Sequence, residues 1–174
     1  MQRTAVDGYD WFQRELKGIE AGDIFAIPLR IGGYGFGRVV NAHEGASLAE
    51  FFRFWADAPD YADEIVSSGR LFPPTGFFVS DIAHRNRKRP WRVIHKDPHY
   101  YPADLYDLKF SQSDDGQNWT YYTLNDDGQT LGRISVNDVD EWEVTSQLPQ
   151  HPDRIMSVVE SKLKNFRIFP SEAS

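Results

Sequence analysis

The chain has 174 residues, 40% of them apolar and 14% aromatic, enough for one domain with a substantial core, and it carries a net charge of −7. It contains no cysteine, which excludes disulfides, thiol catalysis and cysteine-ligated zinc. No apolar run approaches the roughly 18 residues of a membrane-spanning helix, and Met1–Asp7 holds no apolar signal core, so a cytoplasmic location is expected.

Phe12, Leu16 and Ile19 stand at helical spacing with Trp11 beside them, and Gly22 stops the pattern, so residues 1–20 are predicted to form an N-terminal helix. Two strands joined by a glycine-rich turn follow, over Gly22–Leu29 and Gly33–Val40. In the first, Ile24, Ala26 and Pro28 face one way and Phe25, Ile27 and Leu29 the other, the pattern of a strand covered on both faces. In the second, Tyr34 and Phe36 alternate with Gly35 and Gly37, so one face carries rings and the other admits a second backbone. After a polar turn at 41–45, Leu48–Trp55 contains Phe51, Phe52, Phe54 and Trp55. Helix and strand both accommodate that run, and its aromatic density favours a buried strand.

Asp60–Ser68, closed by Gly69, suits a helix of about two turns. Pro73-Pro74 is expected to break the chain ahead of a strand over Phe77–Ile82. A charged loop over Arg85–Pro90 leads into a strand at Trp91–His95, with Trp91 and Val93 on one face and Arg92 and Ile94 on the other. Leu105–Ser111, Asn118–Leu124 and Thr130–Val136 are strand-like, and Asp114-Asp115-Gly116 and Asp126-Asp127-Gly128 between them are hairpin signals, so a three-stranded meander is expected. Ile155, Val158, Val159, Leu163 and Phe166 then mark an amphipathic helix over Pro152–Phe166. Together these elements predict one α+β domain over 1–174. A strongly curved antiparallel β-sheet or SH3-like partial barrel fills 21–145, flanked by the N-terminal helix and a C-terminal helix at 150–167.

Few of the residues that could carry chemistry are spaced for it. His84, His95 and His99 stand near Asp81 and Asp97, but Pro98 opposes a helix there. In an extended chain His95 and His99 lie more than about 10 Å apart at roughly 3.3 Å per residue, so no metal site is expected. The glycines of Gly32–Gly37 run into a strand rather than a helix, and no Gly-Lys-Ser or Gly-Lys-Thr follows, which leaves no dinucleotide fingerprint and no P-loop. No Gly-x-Ser-x-Gly elbow is present. The paired aspartates sit beside glycines in turns, where solvation keeps a carboxylate from acting as a general acid. Neither catalytic residues nor a cofactor are expected.

Charge is unevenly spread. Between Arg70 and Lys96 seven basic residues face Asp81 alone, whereas between Asp104 and Glu143 ten acidic residues face Lys109 and Arg133. Either the two blocks partly neutralise one another in the fold, or the acidic block meets a basic partner. Two other classes stay open at this stage. One is a small ligand-binding or enzymatic barrel with a pocket lined by Tyr34, Phe36, Phe52, Phe54 and Trp91. The other is a nucleic-acid binder using Arg85, Arg87, Lys88 and Arg89 beside Trp91, against which the net acidity counts.

The order of motifs adds a resemblance. Gly22-Asp23-Ile24-Phe25-Ala26-Ile27-Pro28-Leu29, Gly33-Tyr34-Gly35-Phe36-Gly37-Arg38-Val39-Val40, Glu50-Phe51-Phe52-Arg53-Phe54 and Arg89-Pro90-Trp91-Arg92-Val93-Ile94-His95 occur in that sequence. Over Ala21–Lys96 the chain resembles the immunity protein 26 family of bacterial polymorphic toxin systems. The resemblance implies a cytoplasmic antidote that binds a cognate toxin domain and neutralises it by occlusion, without catalysis. It brings no catalytic residues, and its shared positions read as fold determinants. Partner binding is then expected in exposed acidic segments, at Asp114, Asp115, Asp126, Asp127, Asp138, Asp140, Glu141 and Glu143, facing a basic, nuclease-like toxin, with neither membrane nor nucleic acid as partner.

Overall fold

The two runs of the opening motif pair as an antiparallel hairpin of β1 (Asp23–Pro28) and β2 (Tyr34–Asn41), with Ala26 opposite Phe36. The turn between them is held by the Leu29 amide donating to the Gly33 carbonyl (3.0 Å), and the Trp55 indole caps it by donating to the Gly32 carbonyl (3.1 Å). The aromatic run forms β3 (Ser47–Ala56), followed by a short helix α1 (Asp63–Ser67), β4 (Arg70–Phe77) and β5 (Arg92–Lys96). Beyond these lie β6 (Phe110–Gln112), β7 (Asn118–Tyr122), β8 (Gly132–Ser135), β9 (Ser146–Gln150) and the terminal helix α2 (Pro152–Asn165). This computed structural model describes residues 18–42, 47–82, 91–104, 108, 110–112, 118–122, 132–135 and 146–166. The N-terminal helix expected over 1–20 lies almost wholly outside the described residues, as do the Arg85–Arg89 loop and His84.

The main sheet has six strands in the order β5-β1-β2-β3-β4-β9 and is not closed; the second has three, in the order β6-β7-β8. The meander is therefore present as a sheet of its own. The described strands within 21–145 pair antiparallel as expected, but in two sheets rather than one, and β9, just beyond that span, joins the main sheet at its edge, parallel to β4. Its sequence, Ser-Gln-Leu-Pro-Gln, has neither alternation nor β-branched residues, so no local signal marks it as a strand.

Two further expectations fail around β4. Pro73-Pro74 does not break the chain but lies inside the strand, between Thr75, which pairs with Ala49, and Phe72, which pairs with Phe51. Two residues of β4, Pro73 and Pro74, thus stand against one of β3, Glu50. Proline lacks the amide hydrogen a regular ladder needs, and a bulge is where a strand tolerates it. The strand expected over Phe77–Ile82 ends at Phe77, and Val79–Asp81 is a turn of 3₁₀ helix.

Alternation along the strands builds a core on both faces of the main sheet. On one face Phe25, Ile27, Leu29, Val39, Ala49, Phe51 and Trp91 pack with Ile155, Val159 and Leu163 of α2. On the other, Ile24, Ala26, Phe36 and Phe52 pack with Ile65 of α1. Phe25 is the centre of the first face: Trp91 stacks on it at 5.5 Å and 3°, and Phe77 and Phe51 flank it at 6.2 and 6.0 Å. The glycine face of β2 admits side chains more than backbone. A Cβ on Gly37 would come within 2.6 Å of the Phe25 ring and 2.9 Å of the Glu50 carbonyl oxygen, and one on Gly35 within 3.1 Å of Val159. Phe110 brings the second sheet down onto Val40 and Leu48.

Helix α2 starts as its sequence suggests. The Asp153 amide donates to His151 Nδ1 (3.3 Å), Pro152 occupies the first turn, and Lys162 and Lys164 lie at the negative end of the helix dipole. Its buried Glu160 accepts from the Arg30 amide (2.6 Å) and from Arg30 Nη2 (2.8 Å), fixing the helix to the first hairpin turn.

Candidate functional site

One charged residue interrupts the apolar face of β3. Glu50 stands opposite Arg38 in the β2–β3 register, so the two side chains project on the same face, between the Phe36–Phe52 cluster and the Val40–Leu48–Phe110 cluster. Glu50 is only 1% exposed. Its Oε1 accepts from Arg38 Nε at 2.6 Å, and its Oε2 accepts from Arg70 Nε of β4. Arg70 then reaches outward to Asp104, donating from Nη1 to Oδ2 and from Nη2 to Oδ1 (3.1 Å). The Arg38 guanidinium lies over the Tyr100 ring at 4.0 Å and within 5.5 Å of the Phe52 ring centre. Two guanidiniums and two carboxylates thus compensate one another at the sheet face.

This cluster is a clamp, not an acid–base pair. Both Glu50 oxygens are occupied. Burial works against the Arg70 cation, but its hydrogen bonds to Asp104 and the charge of Glu50 outweigh that and raise its pKa. The Arg70 hydrogen bond, opposed in part by burial, holds the Asp104 carboxyl below the usual aspartate value. Burial, helped by the negative charge of Glu50, pushes the Tyr100 phenol up to about 12, so it stays protonated at neutral pH. Its hydroxyl is buried without a hydrogen-bond partner among the described residues. None of these groups is poised to take a proton from a substrate.

A second feature borders the clamp. Thr75 and Phe77 of β4 pair with β9, which meets only this end of the strand. An open groove of about 480 Å³ runs along the other end, lined by Phe72, Pro73, Pro74 and Leu108 and bordered by Arg53, Arg70 and Lys162. Arg53 Nε donates to the Arg70 carbonyl oxygen (2.7 Å), and its guanidinium sits 4.7 Å from the Phe166 ring centre.

The remaining expectations can be placed against this geometry. The eight acidic residues proposed for partner binding, Asp114, Asp115, Asp126, Asp127, Asp138, Asp140, Glu141 and Glu143, lie outside the described residues. Among the described residues the two charge blocks meet at the Arg70–Asp104 bridge. The aromatic pocket does not form: Trp91, 2% exposed, packs on the α2 side of the sheet, whereas Tyr34, Phe36, Phe52 and Phe54 belong to the opposite face. Burial also removes Trp91 as a platform for nucleic-acid bases. His95 stacks on Tyr61 at 3.8 Å, and the His99 amide donates to the Asp97 carboxylate (3.0 Å). Among the described residues no three His, Cys, Asp or Glu side chains converge on a metal position, and no helix is long and apolar enough to cross a membrane.

The Gly-Asp that opens the first motif has a packing reason. Gly22 has φ +93°, and a Cβ there would land on the Asp97 carbonyl oxygen and within 2.8 Å of Tyr100 Cβ. Buried Asp23 accepts from the Glu20 amide (3.1 Å) and pairs with Lys96 of β5 (3.2 Å). The motif thus ties the start of β1 to the end of β5.

Residues 20–121, well over half of the chain, match the family described as Immunity protein 26. The chain belongs to the immunity protein 26 family. Searches of curated proteins and of solved structures gave no match. The immunity-family match extends past the Ala21–Lys96 stretch that carried the resemblance, and it contains the whole clamp: Arg38, Glu50, Arg70, Tyr100 and Asp104. It stops before β8, β9 and α2, so Lys162 of the groove and the acidic residues from Asp126 onward are outside it. Sequence reasoning missed the clamp, although Glu50 inside Leu48-Ala49-Glu50-Phe51-Phe52 was a signal. A carboxylate in a run otherwise buried on both faces requires a paired cation.

Proposed function

We propose that this protein is a cytoplasmic immunity protein that binds one cognate bacterial toxin domain and neutralises it by occlusion, without catalysis. The observation that carries the reading is the immunity-family match over residues 20–121. The clamp supports binding over catalysis, because its carboxylates and guanidiniums are committed to one another. Within this reading the acidic residues Asp114, Asp115, Asp126, Asp127, Asp138, Asp140, Glu141 and Glu143 are contacts for a basic surface of the toxin, which they would attract over roughly a Debye length.

The test is co-expression with the candidate cognate toxin domain, to be sought in the reading frame next to this gene. Cells should survive, and the two proteins should elute together on gel filtration. Cell death with no complex would overturn the proposal. Reversing Asp114, Asp115, Asp126 and Asp127 to lysine should weaken the complex at low salt, and unchanged affinity would clear those residues of a role.

A further inference from the structure

The groove beside β4 has a chemistry that the acidic residues do not share. Its floor is apolar, formed by Phe72, Pro73, Pro74 and Leu108. Its rim is cationic, and the three cations are not equivalent. Arg70 is neutralised by Glu50 and Asp104 and held in place by them. Arg53 bonds a carbonyl oxygen and a ring face but no carboxylate among the described residues. Lys162, on α2, makes no ion pair among the described residues. Among the described residues, two positive charges without a carboxylate partner therefore flank an apolar trough.

The trough is also a sheet edge with an unusual property. Pro73 and Pro74 have no amide hydrogen, so this part of β4 cannot extend the sheet by pairing with an incoming strand. Recognition here must come from side chains. A nucleic acid fits poorly, since its affinity depends on neutralising many phosphates, and the described rim of this groove offers two cations without a carboxylate, on a protein of net charge −7.

We infer that this groove receives an acidic segment of the toxin, with an apolar side chain seated on Phe72, Pro73, Pro74 and Leu108 and a neighbouring carboxylate held by Arg53 and Lys162. The inference rests on the toxin-binding reading and adds to it the polarity of one contact. The immunity protein presents positive charge at this point, opposite in sign to its acidic segments.

The experiment is calorimetric titration of the purified immunity protein with a catalytically inactive form of the candidate cognate toxin domain, at low and moderate salt. Lys162→Glu is the primary variant, because the Lys162 side chain makes no hydrogen bond or ion pair among the described residues. Arg53→Glu with Lys162→Glu is the second, with circular dichroism to show that the fold persists. The single reversal should weaken binding by about tenfold or more at low salt, and the double reversal further. Lys162→Gln should give a smaller loss, and the penalty should shrink as salt rises. Unchanged affinity in both reversals would overturn the inference while leaving toxin binding intact. So would tighter binding, which would mean that the groove faces positive charge. If the unmodified protein does not bind the toxin domain, the functional proposal falls and this one with it. A labelled single-stranded oligonucleotide provides the alternative arm: salt-sensitive binding lost in Lys162→Glu, with toxin affinity unaffected, would assign the groove to nucleic acid instead.

Discussion

Glu50 occupies a position on β3 where an apolar residue would satisfy the strand pattern, and two arginines are held there because it does. Replacing it by glutamine leaves the Arg38 and Arg70 cations without their shared buried anion. Breaking a buried pair in this way costs about 3–5 kcal/mol. Denaturant unfolding of Glu50→Gln should show a loss of that order. Asp104 is the contrasting case, since its side chain is 49% exposed. Water screens its bridge to Arg70, so Asp104→Asn should cost less than about 1 kcal/mol. An equal loss in the two variants would mean that the clamp is solvated throughout. Tyr100 adds a pH signature. Its phenol is raised by burial to about 12 in the fold, against a usual value of 10.0, so the unfolded chain loses this proton first as pH rises. The stabilisation is complete below pH 10, where both states hold the proton, and is lost progressively as pH rises through about 12. Tyr100→Phe should flatten the fall in stability across that window, measured as denaturation midpoint against pH.

At the scale of elements, the fold turns on β2, whose rings and glycines serve different faces. Gly37→Ala would drive a methyl into the Phe25 ring, which cannot yield because Trp91, Phe51 and Phe77 hold it. The expected cost is about 1–3 kcal/mol, and near-neutral behaviour in thermal melting would show that the Phe25 stack is loose. The legible parts of the fold were those with a strong period or a strong turn. Alternation gave β1, β2 and β5 with their facing residues, aromatic density favoured a strand at β3, Asp-Gly pairs flanked the meander strands, and helical spacing gave α2. The misread parts depend on partners distant in sequence. Ser146–Gln150 is a strand because β4 offers an edge, and Pro73-Pro74 stays in a strand because a bulge absorbs the missing donors. The site was less legible for the same reason. Glu50 could be read as anomalous, but Asp104 becomes its neighbour only through Arg70, and Lys162 borders Arg53 only because α2 packs across the sheet.

For the whole molecule, the family match and the folding unit do not coincide. The match ends at residue 121, yet Phe25, Leu29 and Phe51 are covered by Ile155, Val159 and Leu163 of a helix that begins at Pro152. Each of those three helix residues is at most 1% exposed. Burying one such side chain contributes about 1.5–3 kcal/mol, and a whole domain is stable by only about 5–15 kcal/mol. Removing α2 therefore takes away an amount comparable to the total. It also strips the apolar face of the first hairpin and leaves Arg30 without the buried Glu160 that fixes its turn. A fragment of residues 20–121 should accordingly lack cooperative unfolding, bind hydrophobic dyes and fail to protect cells from the toxin domain, although it contains the full family match and every member of the clamp. The chain truncated after Gln150 should behave the same way, because it retains β9 but not the helix. If either fragment melts cooperatively with near-native near-ultraviolet dichroism, α2 is an accessory, and the core closed by Phe25, Phe51 and Trp91 suffices on its own.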